Sequence, residues 1–361
     1  MLTEDVSRSR SLKPGADGAL DRFGLSCARV EMVSLDARLN AARQVRDEID
    51  KNARSAIPTL IPRPESETFV PVDLLPRSLR LEYPFTPRSH SIDGMNYSYL
   101  DEGQGPILLF VHGNPTWSFA WRNLIKGLAR DYRCIAVDHI GMGLSDKPGD
   151  YAYRIDQHID NLSQLVKHLE LQEITLIGHD WGGCIGMGAA VRNRERFHRF
   201  VMMNTAAFRS QRIPARIAAC RIPVLGSLGV RGLNLFARSA ITMAMADHTR
   251  MSPVIRQGYL FPYDSWAHRI AIQRFVEEIP LQPTHPSYQT LLEVETGLQE
   301  FQRHPWLFFW GEQDWCFTTK FLDEWQQRFP HAETVRFKDA GHYVFENAHE
   351  RMLSKLQEFL K

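Results

Sequence analysis

The chain has 361 residues, of which 43% are hydrophobic and 24% charged, and 43 Lys and Arg against 42 Asp and Glu leave a net charge of +1. That balance fits a globular protein with a large core, and it speaks against nucleic acid or an anionic membrane surface as the partner. Apolar runs such as "ILLFV" are far too short to span a bilayer, so no transmembrane segment is expected.

The five cysteines (27, 134, 184, 220 and 316) are odd in number, scattered, and form no C-x-x-C pair. Neither a disulfide framework nor a zinc site is expected, and a reducing cytoplasmic setting fits best. The N-terminus has no apolar stretch of signal-peptide type.

Residues 1–80 read as an extension. "SLDARLNAARQVRDEIDKNA" has helix-forming composition with mixed charge, and "IPTLIPRPESE" is broken by Pro58, Pro62 and Pro64. One helix and a proline-rich linker are expected, loosely docked, with homo-oligomer contact as the other use of this segment.

From about Tyr83 the pattern becomes regular. "HSIDGMNYSYLDEG" alternates around Asp93-Gly94, a hairpin signal. "ILLFVHGNP" reads as a buried strand running into a loop, and "WRNLIKGLA" has helical spacing. "RCIAVD" is a further strand before a glycine-rich loop, and "DQHIDNLSQLVKHLEL" is an amphipathic helix. "ITLIG" and "RFVMMN" are strands on either side of a helix rich in small residues. The alternation stops at Thr205 and resumes at "WLFFWGEQD", followed by the helix "KFLDEWQQRF", the strand "ETVRF" and a terminal helix.

Strands and helices alternating at this spacing predict an α/β fold with a mostly parallel central sheet flanked by helices. The core is expected over residues 81–204 and 305–361, with a helical cap at 205–304 lying over the carboxyl edge of the sheet.

The chemistry concentrates at "GHDWG", where Asp180 sits between a strand and a helix with the G-x-Nuc-x-G spacing of a nucleophile elbow. Three other placements agree with it. Asp314 follows a late strand, His342 lies in the loop after the last strand, and Asn114 follows "HG" at the end of an early strand. Such an order of nucleophile, acid and histidine suits an α/β-hydrolase triad, with oxyanion-hole N–H groups from Asn114 and Trp181.

Serine attacking saturated carbon would form an ether that water cannot cleave. A carboxylate forms an alkyl ester instead, which water opens at the enzyme's own carbonyl carbon. Asp180 then needs no general base, and His342, oriented by Asp314, activates water for the second step. A leaving halide would need weak donors such as the Trp181 indole and the Asn114 amide. An epoxide would need an acid donor, for which Tyr259, Tyr263 and Tyr288 are candidates. No metal or other cofactor is expected, and a small apolar substrate and water are the expected partners. A non-enzymatic binding protein would more often show a degraded triad, whereas every position here is filled by a competent residue.

"HGNPTWSFAWRNLI", "DHIGMGLSDKP", "GHDWGG" and "AGHYVFENAHE" together resemble the haloalkane dehalogenases of the α/β-hydrolase superfamily, from about Tyr83 to the C-terminus. The resemblance implies Asp180 as nucleophile, His342 as base, Asp314 as acid, and Asn114 with Trp181 as the halide-stabilising pair. In one large branch the acid follows the earlier strand, where this chain has Asn204-Thr205-Ala206; an acid at Asp314 resembles the third subfamily. That pattern is shared by β-lactone decarboxylases of long-chain olefin biosynthesis, which "NTAAF" and "PYDSWAHRIAIQRFVEEIPL" also resemble. There the resemblance implies the same Asp180 opening a strained lactone, with loss of carbon dioxide and formation of an alkene.

Overall fold

The computed structural model describes Thr68–Phe69 and residues 75–361. The expected N-terminal helix and the proline-rich linker lie outside the described residues. Nine strands form one sheet: β1 (Thr68–Phe69), β2 (Arg88–Ile92), β3 (Met95–Glu102), β4 (Ile107–Val111), β5 (Arg133–Val137), β6 (Ile174–Asp180), β7 (Phe197–Thr205), β8 (Trp306–Gly311) and β9 (Glu333–Phe337). Their order is β1-β2-β3-β5-β4-β6-β7-β8-β9. The first three are antiparallel, and from β5 to β9 every neighbouring pair is parallel.

Local chemistry accounts for this order. Asp93 and Gly94 both take positive φ (50° and 79°), the two-residue turn whose twist matches antiparallel strands, so β2 and β3 pair at once. The central strands are apolar throughout because helices cover both faces of a parallel sheet. In β4, Leu109 and Val111 face one core while Leu108 and Phe110 face the other. The first core takes the buried side of α3 (Ile155–His168) and the small-residue helix α4 (Trp181–Arg192). The second takes α2 (Arg122–Leu128) and the terminal helix His349–Phe359. The short helix α1 (Arg77–Glu82) adds Leu79, and Leu75 before it is also buried, so packing begins earlier than residue 81.

Residues 206–305 contain helices and no strand: Ala215–Ala219, Leu225–Ser227 running into a π-turn at Leu228–Gly232, Leu235–Met243, Pro253–Leu260, Ile270–Glu277 and Tyr288–Gly297. Ser252 and Pro253 start the fourth of these, the serine hydroxyl accepting from Ile255 N. Val230, Ala237, Tyr263 and Ile272 form a small core of their own within this stretch.

Candidate active site

Asp180 ends β6 with φ 52° and ψ −127°, a backbone conformation that costs a non-glycine residue about 1–3 kcal/mol. Its neighbours make the turn tight enough to hold it there. A Cβ on Gly182 would lie 1.9 Å from Val111 O, and one on Gly113 would lie 2.0 Å from Asp180 Oδ1. Thr205 Oγ1 donates to the Asp180 carbonyl and pins the turn to β7. The side chain is thereby presented to a mostly apolar cavity lined by Asn114, Trp181, Phe208, Ile217, Leu291, Phe317, His342 and Tyr343, among others.

The sequence-predicted residues converge on this point. Asn114 N donates to Asp180 Oδ1 at 2.7 Å, and Trp181 N–H is the second backbone donor to the carboxylate. Burial raises the Asp180 pKa, opposed by the His342 charge and by these two N–H groups. His342 Nδ1 lies 2.7 Å from Asp314 Oδ2, and His342 Nε2 lies 3.8 Å from Asp180 Oδ2. With Nδ1–H donating to Asp314, Nε2 is left as the lone-pair nitrogen facing Asp180. Burial acts to lower the His342 pKa, but Asp314, through charge and hydrogen bond, and then Asp180 outweigh it, and the net shift is upward from 6.5.

Several residues that hold these groups were not legible as site residues in the sequence. Asn204, at φ 37°, donates from Nδ2 to Asp314 Oδ2 (2.9 Å) and to Gly311 O (3.1 Å), and accepts from Gly311 N (2.9 Å). Cys316 N donates to the other oxygen, Asp314 Oδ1, at 2.7 Å. His179 Nε2 donates to the His342 carbonyl (3.0 Å), and Asn347 Oδ1 accepts from Gly341 N (3.0 Å) and Ala246 N (3.1 Å). His139 N donates to His112 Nε2 at 3.1 Å, so His112 Nδ1–H donates to Gly113 O and stiffens the loop that carries Asn114.

Below the histidine loop lies a buried ion pair. Arg122 donates to both Glu346 oxygens, at 2.5 and 2.9 Å, and Tyr259 OH donates to Glu346 Oε1 at 2.5 Å. None of the three tyrosines considered as acid donors lines the cavity. Tyr259 is held by Glu346, Tyr263 donates to Thr116 O at 3.2 Å, and Tyr288 accepts from Arg209. The tyrosine that does line it is Tyr343, next to His342. Asn114 Nδ2 donates one hydrogen to Ile272 O at 3.1 Å, which leaves its second amide hydrogen for the cavity.

The pattern of the alpha/beta hydrolase fold family matches residues 106–217 and 244–348. The chain is a member of that family. Among its relatives is a cis-3-alkyl-4-alkyloxetan-2-one decarboxylase of Shewanella oneidensis, 42% identical over 77% of this chain and 89% of the relative. Haloalkane dehalogenase 2 of Mycobacterium tuberculosis is 32% identical over 76% of this chain and 95% of its own length. In three dimensions the haloalkane dehalogenase DbeA of Bradyrhizobium elkani superposes with a TM-score of 0.69, covering 75% of this chain and 96% of that one at 24% identity, a likeness of fold. This α/β-hydrolase is therefore an enzyme of the group that holds both dehalogenases and oxetanone decarboxylases.

Proposed function

We propose that Asp180 displaces a leaving group from saturated carbon and carries the alkyl group as an ester. The observation that carries this reading is the aspartate at the elbow, with two backbone N–H donors on its carboxylate and His342 Nε2 at 3.8 Å. Residues 205–304 act as a cap whose apolar side chains shut water from the reacting carbon, and Asp314 orients His342.

Two substrates suit this chemistry, and they part at the second step. With a haloalkane, halide leaves to the Trp181 indole and the second Asn114 amide hydrogen. His342 then takes a proton from water, which attacks the Asp180 carbonyl carbon while the Asn114 and Trp181 N–H groups hold the oxyanion. Alcohol and halide are the products. With a cis-3,4-dialkyl oxetan-2-one, Asp180 attacks the ring carbon bearing oxygen, and the C–O bond breaks to free a carboxylate. That carboxylate leaves as carbon dioxide, its C–C electrons form the alkene, and the Asp180 C–O bond breaks to return the aspartate. No water is consumed.

The 42% identity to an oxetanone decarboxylase favours the lactone as physiological substrate, and the dehalogenase relatives with the Asn114 and Trp181 pair support halide release by the same residues. The test presents purified protein with a panel of bromoalkanes and, separately, with a long-chain cis-β-lactone in H₂¹⁸O. Alkene formation without label in Asp180 supports the lactone reading. Halide release with label entering Asp180, and an inert lactone, would give dehalogenation alone.

A further inference from the structure

Seven of the eight large apolar side chains that the described residues leave exposed belong to one part of the cap. Ile222, Val224, Leu225, Leu228, Leu233 and Leu235 fall in a single segment of chain. Trp266 lies over Gly232, where an added Cβ would be 3.6 Å from its ring, and Leu235 lies over Gly229 at the same distance. These residues form a patch. Single exposed leucines are ordinary, but a grouped set marks a docking surface. Val224 makes the point sharply. It is 70% exposed at φ 65°, a conformation that strains a β-branched residue and that glycine takes freely, so its side chain is not there for interior packing.

The charge around the patch identifies what it meets. Residues 205–246 contain six arginines (209, 212, 216, 221, 231 and 238) and no Asp, Glu or Lys. Among the described residues only Arg209 of these six forms an ion pair, with Glu295. The net charge of +1 averages this segment against the acidic remainder and hides it. No helix of the described residues is long and apolar enough to cross a membrane, so any attachment made here is peripheral. Arg231 stacks on Trp266, and exposed leucines and a tryptophan beside arginines that carry no ion pair match acyl chains beneath phosphate headgroups.

We propose that this patch seats the protein on the surface of an anionic phospholipid bilayer. The leucines enter the acyl region and the arginines hold the phosphates. The segment also reaches the active-site cavity, since Ile213, Ile217 and Phe236 line it and Phe236 follows Leu235 directly. A docked cap therefore brings the cavity mouth to the phase in which long-chain apolar substrates dissolve. The docking stands without the substrate assignment, and its binding readout uses no substrate.

The full chain is sedimented with vesicles of phosphatidylcholine alone and of phosphatidylcholine mixed equally with phosphatidylglycerol. Binding is expected to the mixed vesicles and to weaken in high salt. Replacing Leu225→Ser, Leu228→Ser and Leu233→Ser together should cut it by about tenfold or more, because each buried leucine contributes through its apolar area. Turnover of a short water-soluble bromoalkane and the thermal midpoint should stay as they were. Arg216→Glu with Arg238→Glu should lose the preference for anionic vesicles while leaving the same two controls unmoved. Wild-type protein left in the supernatant with both vesicle types would overturn the proposal. So would concentration-dependent self-association abolished by the leucine variant, which would assign the patch to a second copy.

Discussion

Asn204 Nδ2 lies 2.9 Å from the same Asp314 oxygen that takes the His342 Nδ1 hydrogen bond at 2.7 Å. One carboxylate oxygen thus holds the imidazole and is itself held by an amide anchored to the end of β8. Through Gly311, Asn204 fixes where the acid points, and the acid fixes the histidine tautomer.

Removing that amide isolates its role. Asn204→Ala should destabilise the fold by about 1–3 kcal/mol, since it leaves buried acceptors without a donor. It should also slow breakdown of the alkyl ester more than its formation. Rapid-quench measurement with a bromoalkane separates the two steps, and equal slowing of both would count against a positioning role.

The pH dependence of ester breakdown follows from the charges around His342. Its pKa is raised above 6.5, so the resting protein holds an imidazolium below the raised value and a neutral ring above it. Only the neutral ring accepts a proton from water, so hydrolysis should rise with pH to a plateau. Esterification removes the Asp180 charge, one of the contributions that raise His342. The midpoint for breakdown of the trapped ester should therefore lie below that of His342 in the free protein, followed by NMR. An identical midpoint in both states would mean that Asp180 does not couple to His342.

Much of this was readable in the sequence because the signals are local. The Asp93-Gly94 turn, the buried run of β4 and the elbow glycines depend on neighbours along the chain, and the order of strands placed Asp180, His342, Asp314 and Asn114 at or after the ends of strands. What stayed hidden depends on contacts between distant segments. Asn204 reads as the absence of an acid until β7 and β8 lie side by side. Nothing near Glu346 in sequence shows that Arg122, 224 positions away, lies against it. The tyrosines of the insertion failed as acid donors for the same reason, since nothing nearby in sequence shows that Glu346, Thr116 and Arg209 occupy them.

The Arg122 and Glu346 pair is fully enclosed, with side-chain exposures of 0% and 2%. Glu346→Gln should cost about 3–5 kcal/mol by leaving the guanidinium only the partly exposed Glu82 carboxylate, 3.8 Å from its Nε, and it should loosen the His342 loop four residues upstream. Chemical denaturation measures the first effect. A loss below about 1 kcal/mol would show that water reaches the pair.

The central claim is a covalent alkyl ester on Asp180, and His342→Phe tests it most directly. Incubated with a bromoalkane, this variant should gain the mass of one alkyl group, placed on the peptide that contains Asp180, while Asp180→Ala should gain nothing and release no halide. Halide release by the His342→Phe variant with an unmodified Asp180, or turnover surviving in Asp180→Ala, would contradict the account.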